Sequence, residues 1–277
     1  MGKYTLVEKL LKGKAKTLGA SRKNRRRLMM NVFDEKIEKL LKDIAETEGF
    51  SDYEINKADG SIKGDGYLRI IKTATIRAKN NNRILTLVVK SASKSNALRS
   101  QIAIEDLFQR KIYMYDTVFN TFKTFEEENE LQPCNFTPKL YNSLREKKYE
   151  TLILENLKDS GYKLYQKNIP MNQEHVCLVL IQLGRLHELS FALKYQFPEK
   201  FKNVVECLDN CYLKTILRSK FTNNLIQLCI KRQKALDEEV DKEALDTYKA
   251  FIDTIQPFPE SLLESADEYS VALNGDC

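Results

Sequence analysis

The chain has 277 residues, of which 42% are hydrophobic and 30% charged, with 13 Tyr, 13 Phe, no Trp, 10 Gly and 6 Pro. This composition excludes a disordered, collagen-like or low-complexity chain and predicts one or two folded domains. The longest apolar runs, such as residues 84–89, which Thr86 interrupts, are much shorter than the roughly 18 residues of a membrane span, so neither a span nor a membrane partner is expected.

The net charge of +6 belongs to the amino-terminal end of the chain. Residues 1–30 hold 10 Lys plus Arg and one acid, a net of +9, and the 35 basic and 38 acidic residues that follow give −3. The basic cluster at residues 22–27 suits a nuclear address, a nucleic-acid contact or an anionic-lipid contact. A solvated basic arm over residues 1–30 is the simpler interpretation, so nucleic acid is not the expected partner.

Six cysteines and two histidines offer little for a metal site. Cys207 and Cys211 lie one helical turn apart but have no second pair, and His175 and His187 have no zinc-like spacing. No hydrophobic secretory signal is present, so we expect reduced thiols in a cytoplasmic protein. We expect His187 to be a packed core histidine rather than a catalytic one.

The hydrophobic pattern changes along the chain from mixed α and β to mostly helical. In chain order it predicts a helix at residues 31–48, a glycine turn at 60–66, a strand hairpin at 67–77 and 83–90, a long helix from about 96 to 122, strands at 139–141 and 151–154, a helix capped by Asn172 that ends before Pro198, and helices near 201–217, 221–236 and 242–255. This order predicts a small sheet-and-helix lobe joined by a short connector to a helical lobe.

The first of these lobes has a layout that suits a nucleotide-phosphate site. Backbone amides in a glycine-rich turn approach phosphate oxygens closely, and Lys90 at the end of the second hairpin strand supplies a positive charge. A lysine that ends a strand is, taken alone, more often simply solvated.

Several motifs in order resemble the insect ecdysteroid-kinase-like family, which is related to choline kinases and aminoglycoside phosphotransferases. They are Gly-Asp-Gly-Tyr at residues 64–67, Leu-Val-Val-Lys at 87–90, the Leu-Phe and Ile-Tyr-Met-Tyr pairings within 107–115, residues 152–162, residues 171–175 and Leu-Gly-Arg-Leu-His at 183–187. The resemblance runs from about residue 35 to the end of the chain. It implies an α+β, protein-kinase-like fold of two lobes, with a nucleotide-binding lobe at residues 31–154, a connector at 155–162 and a partial helical lobe at 163–277.

The resemblance also implies how ATP would be held. Gly64, Asp65, Gly66 and Tyr67 would form the loop that covers the phosphates, and Lys90 would bind the α- and β-phosphates. The backbone of a connector made of Glu155, Asn156 and Leu157 would pair with the adenine edge.

The implied reaction is phosphoryl transfer from ATP, with Mg²⁺, to a small-molecule alcohol such as an ecdysteroid. Asp276 would be the catalytic aspartate that accepts or orients the proton of the substrate hydroxyl. Lys90 is the second residue implied to take part in catalysis.

The sequence departs from the family pattern at three points. The chain stops at Cys277, directly after Asp276, before the Asn and the later Asp-containing segment that hold Mg²⁺ in the family, so no metal ligand is assigned. Lys111 stands where the family has the Glu that pairs with the strand lysine, unless the alignment is one residue off or Lys111 reaches solvent. Asn274 replaces a His.

These departures predict little or no activity in a chain that is truncated at its carboxyl end, whether as a genuine short protein or through an incomplete gene model. The alternative is a non-catalytic pseudokinase that binds a nucleotide or another small ligand.

Overall fold

The computed structural model describes residues 22–60, 69–134, 137–165, 169–208, 220–255 and 268–272. In chain order the elements are α1 (Arg22–Thr47), β1 (Tyr53–Asp59), β2 (Arg69–Ala78), β3 (Ile84–Ala92), α2 (Asn96–Gln101), α3 (Ile104–Tyr113), a π-helical turn (Met114–Val118), α4 (Phe119–Glu128), β4 (Leu140–Leu144), β5 (Thr151–Glu155), α5 (Gln173–Gln196), α6 (Pro198–Val205), α7 (Lys220–Gln233) and α8 (Lys242–Ile255). The α+β class is confirmed.

The strands form one antiparallel sheet in the order β1-β2-β3-β5-β4. β3 pairs with β5 from Leu87 opposite Glu155 to Ser91 opposite Thr151. β4 pairs with the other edge of β5, with a register shift between Leu140 and Asn142. The predicted hairpin and the predicted later strand pair are both confirmed.

Strand β1 was not predicted. In its sequence Tyr53 and Ile55 alternate with polar residues, and most of the strand is exposed. Because β1 precedes the glycine turn, residues 60–68 connect two neighbouring strands. At the start of this connection the Gly60 amide donates to the carbonyl of Ile71 at 3.1 Å, and an added Cβ would lie only 3.0 Å from the backbone carbon of Lys72. This close backbone approach requires glycine.

Two compact units divide the chain, one made of Met1–Lys57 with Ala74–Leu85 and the other of Ala58–Thr73 with Thr86–Cys277. In the first unit α1 buries Phe33, Ile37, Leu41 and Ile44, so its predicted apolar face is confirmed. The predicted boundary between lobes at residues 155–162 stays a prediction.

The prediction of one continuous helix over residues 96–122 was wrong. α2 ends at Gln101, Ile102 is extended, and a new helix begins at Ile104. A π-helical turn over Met114–Val118 then separates α3 from α4. Helical periodicity continues through both interruptions, so the pattern of apolar residues does not show them.

The π-helical turn marks a change in what the helix packs against. Before the turn, α3 contributes Ile112 to a cluster with two leucines of the sheet. After it, Phe122 and Phe125 of α4 share a buried cluster with Leu189 and Leu193 of α5. The helical run therefore links the core of the sheet to the core of the helices.

Helix α5 begins and ends where the sequence predicts. The Asn172 side chain accepts a hydrogen bond from the His175 amide at 3.0 Å, and Pro198 starts α6. The predicted apolar face is buried only in its carboxyl-terminal half, since Val176, Val179 and Leu180 are exposed. α7 and α8 lie close to their predicted bounds, whereas α6 ends at Val205 and residues 209–217 of the predicted helix are outside the described residues.

Among the described residues, α5 is also a helix whose length and composition would allow it to cross a membrane. This helix was not predicted as a candidate span, because polar residues interrupt its apolar ones along the sequence. A single helix of this kind is weak evidence for a span because core helices pass the same test, although only 22% of its apolar window is buried. Leu189 and Leu193 pack into the core of their own unit, as residues of a core helix do.

Candidate functional site

Lys90 lies in β3, directly opposite Leu152 of β5. Opposite residues of an antiparallel pair point to the same face, so Lys90 shares a face with Leu152, and Val88 and Leu154 continue that face. Both leucines are buried and Lys90 is half-buried. The lysine therefore stands on an apolar face of the sheet.

Helix α3 covers this same face. Its Ile112 is buried in a cluster with Leu152 and Leu154. Lys111 precedes Ile112 and is half-buried, so it lies at the side of the packed stripe rather than at its centre. The helix that carries Lys111 thus packs on the face that carries Lys90.

Strand β5 leads at Glu155 directly into a tight turn. The amides of Ser160 and Tyr162 both donate to the Leu157 carbonyl, each at 3.1 Å. Gly161 closes the turn with a φ of +86°, a backbone conformation that a side chain would strain. The connector predicted from the sequence is therefore a hydrogen-bonded turn continuous with the sheet.

The polar side chain at the start of the connector braces this turn. The Glu155 amide donates to the carbonyl of Lys139 at 2.9 Å, while the Glu155 carboxylate accepts from the Lys139 amide at 3.2 Å and from the Ser160 hydroxyl at 3.3 Å. The backbone amide of the next residue, Asn156, donates to the carbonyl of Thr86 in β3 at 3.4 Å. These contacts fix the start of the connector against β3 and against the residue that precedes β4.

Lys90 and the connector lie along one pair of strands. Glu155 is three residues beyond Leu152, the partner of Lys90, which is about 10 Å along β5 at the usual strand rise. Within the described part of the chain the Leu157 amide N–H has no hydrogen-bond acceptor. The turn that carries Leu157 therefore begins on the same strand pair as Lys90.

A second arrangement lies on α5. The Ser190 hydroxyl, fully buried, accepts a hydrogen bond from the Ala272 amide at 3.0 Å. Lys194 Nζ donates to the carbonyls of Glu268 at 2.8 Å and Ser270 at 3.3 Å. These contacts hold residues 268–272, which lead towards the predicted catalytic aspartate.

Comparison with known proteins gives one family. The model of the ecdysteroid kinase-like family (EcKL) matches residues 63–277, which is most of the chain. The chain belongs to the ecdysteroid kinase-like family. No curated protein and no solved structure gives a significant match. The family match includes Lys90, the connector and residues 268–272, and it starts after the basic cluster at residues 22–27.

The structure brings together four of the residues predicted for the ecdysteroid kinase-like site. Lys90, Glu155, Asn156 and Leu157 lie on β3, β5 and the turn that continues β5. The other site residues lie outside the described residues: Gly64, Asp65, Gly66, Tyr67 and Asp276, together with Asn274. The roles of all these residues, described or not, stay predictions.

No group of three or more His, Cys, Asp or Glu side chains within the described ranges is placed to hold a metal ion. These ranges therefore assign no ligand to the Mg²⁺ that kinase chemistry uses. His187 is half-buried and lines an open groove of about 570 Å³ with Gly184 and Phe191. Every residue that lines this groove belongs to α5, and the groove contains neither Lys90 nor the connector.

Sequence reasoning missed the ion pair between Arg99 of α2 and Glu150, just before β5. Arg99 donates two hydrogen bonds to the fully buried carboxylate, at 3.0 and 2.5 Å. Burial pushes the pKa of Glu150 up, but hydrogen bonds from Arg99 and from the Lys148 amide outweigh it and hold the pKa below its usual value. The partners are 51 residues apart, so no local pattern reveals them.

Proposed function

We propose that this chain binds ATP through Lys90 and the connector and that its chemistry is phosphoryl transfer to the hydroxyl of a small molecule. The observation that carries the proposal is the placement of Lys90 on a sheet face covered by α3, on the strand pair that continues from β5 into the turn carrying the Leu157 amide. Membership of the ecdysteroid kinase-like family supports the reaction class and suggests an ecdysteroid as the alcohol.

The proposed reaction joins the oxygen of the substrate hydroxyl to the γ-phosphorus of ATP. The bond between that phosphorus and the oxygen of the β-phosphate breaks, ADP leaves, and the hydroxyl proton passes to the carboxylate of Asp276. Lys90 offsets negative charge on the α- and β-phosphates. Mg²⁺, when bound, neutralises charge on the transferring phosphoryl group. We place this activity in the cytoplasm.

Replacing Lys90 by methionine tests nucleotide binding. Lys90→Met keeps an apolar stem against Leu152 but removes the charge, so the affinity for ATP should fall by about tenfold or more, a loss of about 1.4 kcal/mol for each factor of ten. Isothermal titration calorimetry with ATP, with and without Mg²⁺, measures the change.

The matched control is Lys79→Met. Lys79 is an exposed lysine that pairs with Asp52 at 2.8 Å and takes no part in the proposed site. Its replacement should leave the affinity for ATP unchanged. Equal affinities for the unmodified chain and the Lys90→Met variant, or no binding of ATP by the unmodified chain, would contradict the proposal.

A second candidate function is that of a pseudokinase that binds a nucleotide or another small ligand without transferring phosphate. The observation that favours it is Lys111, which lies on the helix that packs over the face of Lys90. Two ammonium groups about 4 Å apart repel by about 1 kcal/mol in water and by more in a protein interior. A glutamate at this position would attract Lys90 instead.

Reversal of that charge distinguishes the two functions. Lys111→Glu should strengthen ATP binding several-fold, and assays with ATP, Mg²⁺ and either an ecdysteroid or choline should then report turnover. Lys123→Glu is the control because Lys123 is exposed on α4 and pairs with Glu127 at 3.7 Å. If Lys111→Glu changes neither affinity nor turnover, the pseudokinase argument loses its basis.

A further inference from the structure

Two residues of α5 hold one short segment of the chain. Ser190 and Lys194 are four residues apart, so they lie on the same side of the helix, one turn from each other. Their polar atoms bind the backbone at three of the five residues 268–272, namely Glu268, Ser270 and Ala272. We call Ser190 and Lys194, with these contacts, the α5 anchor.

Both partners of the hydrogen bond between the Ala272 amide and the Ser190 hydroxyl are buried. Ser190 has no exposed surface, and Ala272 is 3% exposed within the cluster that contains Leu189 and Leu193. The Ser190 hydroxyl is therefore the group that satisfies the Ala272 amide away from water. Without that oxygen the amide would be buried without a partner, which is costly enough to release the segment.

Lys194 reaches the same segment with a charge. Its ammonium group donates to two carbonyl oxygens and lies 5.8 Å from the centre of the Phe201 ring. Hydrogen bonds from a charged donor are stronger than those between neutral groups. One cation that binds two carbonyls of one segment fixes the direction of that segment as well as its position.

We propose that Ser190 and Lys194 are positioning residues, which act on turnover by fixing residues 268–272, the segment that precedes Asp276 in the sequence. The inference rests on the proposed function, in which Asp276 takes the hydroxyl proton. Asp276 follows Ala272 by four residues, which a fully extended chain spans in about 14 Å. Because catalytic groups must be held in a narrow range of positions, release of the segment lowers turnover while nucleotide binding at Lys90 is retained.

Hydrogen exchange of the whole chain, followed by mass spectrometry, tests the anchor directly. In Ser190→Ala and in Lys194→Met, peptides that cover residues 268–272 should exchange at least tenfold faster, while peptides from β3 and β5 should exchange as before. Lys194→Arg keeps a cation with several donors and should restore most of the protection. Lys200→Met is the matched control. Lys200 lies on the neighbouring helix α6 and pairs with Glu128 of α4 at 3.8 Å, away from residues 268–272 in the sequence.

Kinetics separate a positioning role from a merely structural one. With ATP, Mg²⁺ and an ecdysteroid such as ecdysone, Ser190→Ala and Lys194→Met should lower kcat about tenfold and change the KM for ATP less than twofold, and Lys194→Arg should recover kcat. Unchanged exchange in both variants overturns the anchor. Faster exchange with unchanged kcat overturns its positioning role. If the unmodified chain binds no ATP or shows no turnover, the proposed phosphoryl transfer fails and with it the positioning role, and the exchange data alone decide whether the α5 anchor holds residues 268–272.

Discussion

Cys134 shows how its surroundings set the chemistry of one side chain. Burial raises the pKa of its thiol to about 11, helped by a hydrogen bond to the nearby Glu126 carboxylate. Glu126 is itself buried and accepts a hydrogen bond from the Cys134 amide at 2.9 Å. The sequence predicts reduced thiols in general, but it does not tell which of them is shielded.

Cys134 should therefore react slowly with thiol reagents. At pH 8 a thiol with a pKa near 11 is ionised in about one molecule per thousand, against roughly a quarter for an ordinary cysteine. Labelling with iodoacetamide, followed by peptide mass spectrometry, should modify the exposed Cys177 first, and labelling of Cys134 should still rise steeply from pH 8 to pH 10.

The control for this prediction replaces the Glu126 carboxylate by an uncharged amide of nearly the same shape. Glu126→Gln should speed the labelling of Cys134 and leave that of Cys177 unchanged, because the charge that opposes thiolate formation is gone. Equal labelling rates for Cys134 and Cys177 in the unmodified protein would contradict the prediction.

At the scale of elements, the ion pair between Arg99 and Glu150 connects α2 to the start of β5. Arg99 Nε also donates to the Ser93 carbonyl at 2.7 Å, directly after β3. The Ala92 amide donates to the Glu150 carbonyl at 2.9 Å. Together these contacts fix the ends of the two strands that carry Lys90 and the connector.

Removal of Arg99 should be strongly destabilising. Arg99→Met leaves the Glu150 carboxylate buried without its cation and should lower the free energy of unfolding by about 3 to 5 kcal/mol. Urea unfolding measures the loss. Arg145→Met is the control. The distance between Arg145 and Asp116 is 2.9 Å, similar to that between Arg99 and Glu150, but both side chains are exposed, so this pair should contribute less than about 1 kcal/mol to the free energy of unfolding.

The same pair predicts the sign of a pH effect. The pKa of Glu150 in the folded protein lies below its usual value of 4.5, so the pair stabilises the fold above pH 4.5 and this stabilisation is lost as the pH falls through the lower, folded value. The double variant Arg99→Met with Glu150→Leu should lack this dependence and recover part of the stability. An Arg99→Met variant as stable as Arg145→Met would exclude the ion pair as an important contact.

Elements also show where local sequence signals suffice and where they do not. The cap of α5 at Asn172 and its end before Pro198 were predicted because both depend on adjacent residues. The π-helical turn at Met114–Val118 was not, because packing against two different cores decides it. β1 was missed because a mostly exposed edge strand has little apolar alternation.

At the scale of the whole molecule, charge and family membership belong to different parts of the chain. The net of +9 lies in residues 1–30, and the family match begins at residue 63. The helix α1 begins at Arg22, within the basic cluster. The excess positive charge therefore lies outside the part of the sequence that the family match covers.

Neutralising that cluster should alter binding to polyanions alone. With Arg22, Lys23, Arg25, Arg26 and Arg27 all changed to Gln, the chain should elute from heparin at clearly lower salt, because fewer counterions are released on binding. Its affinity for ATP should stay the same within a factor of two. A parallel fall in ATP affinity would show that the cluster serves the nucleotide site.

The sequence by itself determined the α+β class, most of the elements and the family, because apolar periodicity, capping residues and ordered motifs are local along the chain. It also predicted Lys90 and the connector as parts of one site. Tertiary structure alone decided that Lys90 lies on a sheet face beneath α3, that the connector continues the strand paired with that of Lys90, that Arg99 meets Glu150, and that Ser190 and Lys194 hold residues 268–272. Each of these contacts joins residues that are far apart in sequence, and burial in a common core, which no local pattern records, brings them together.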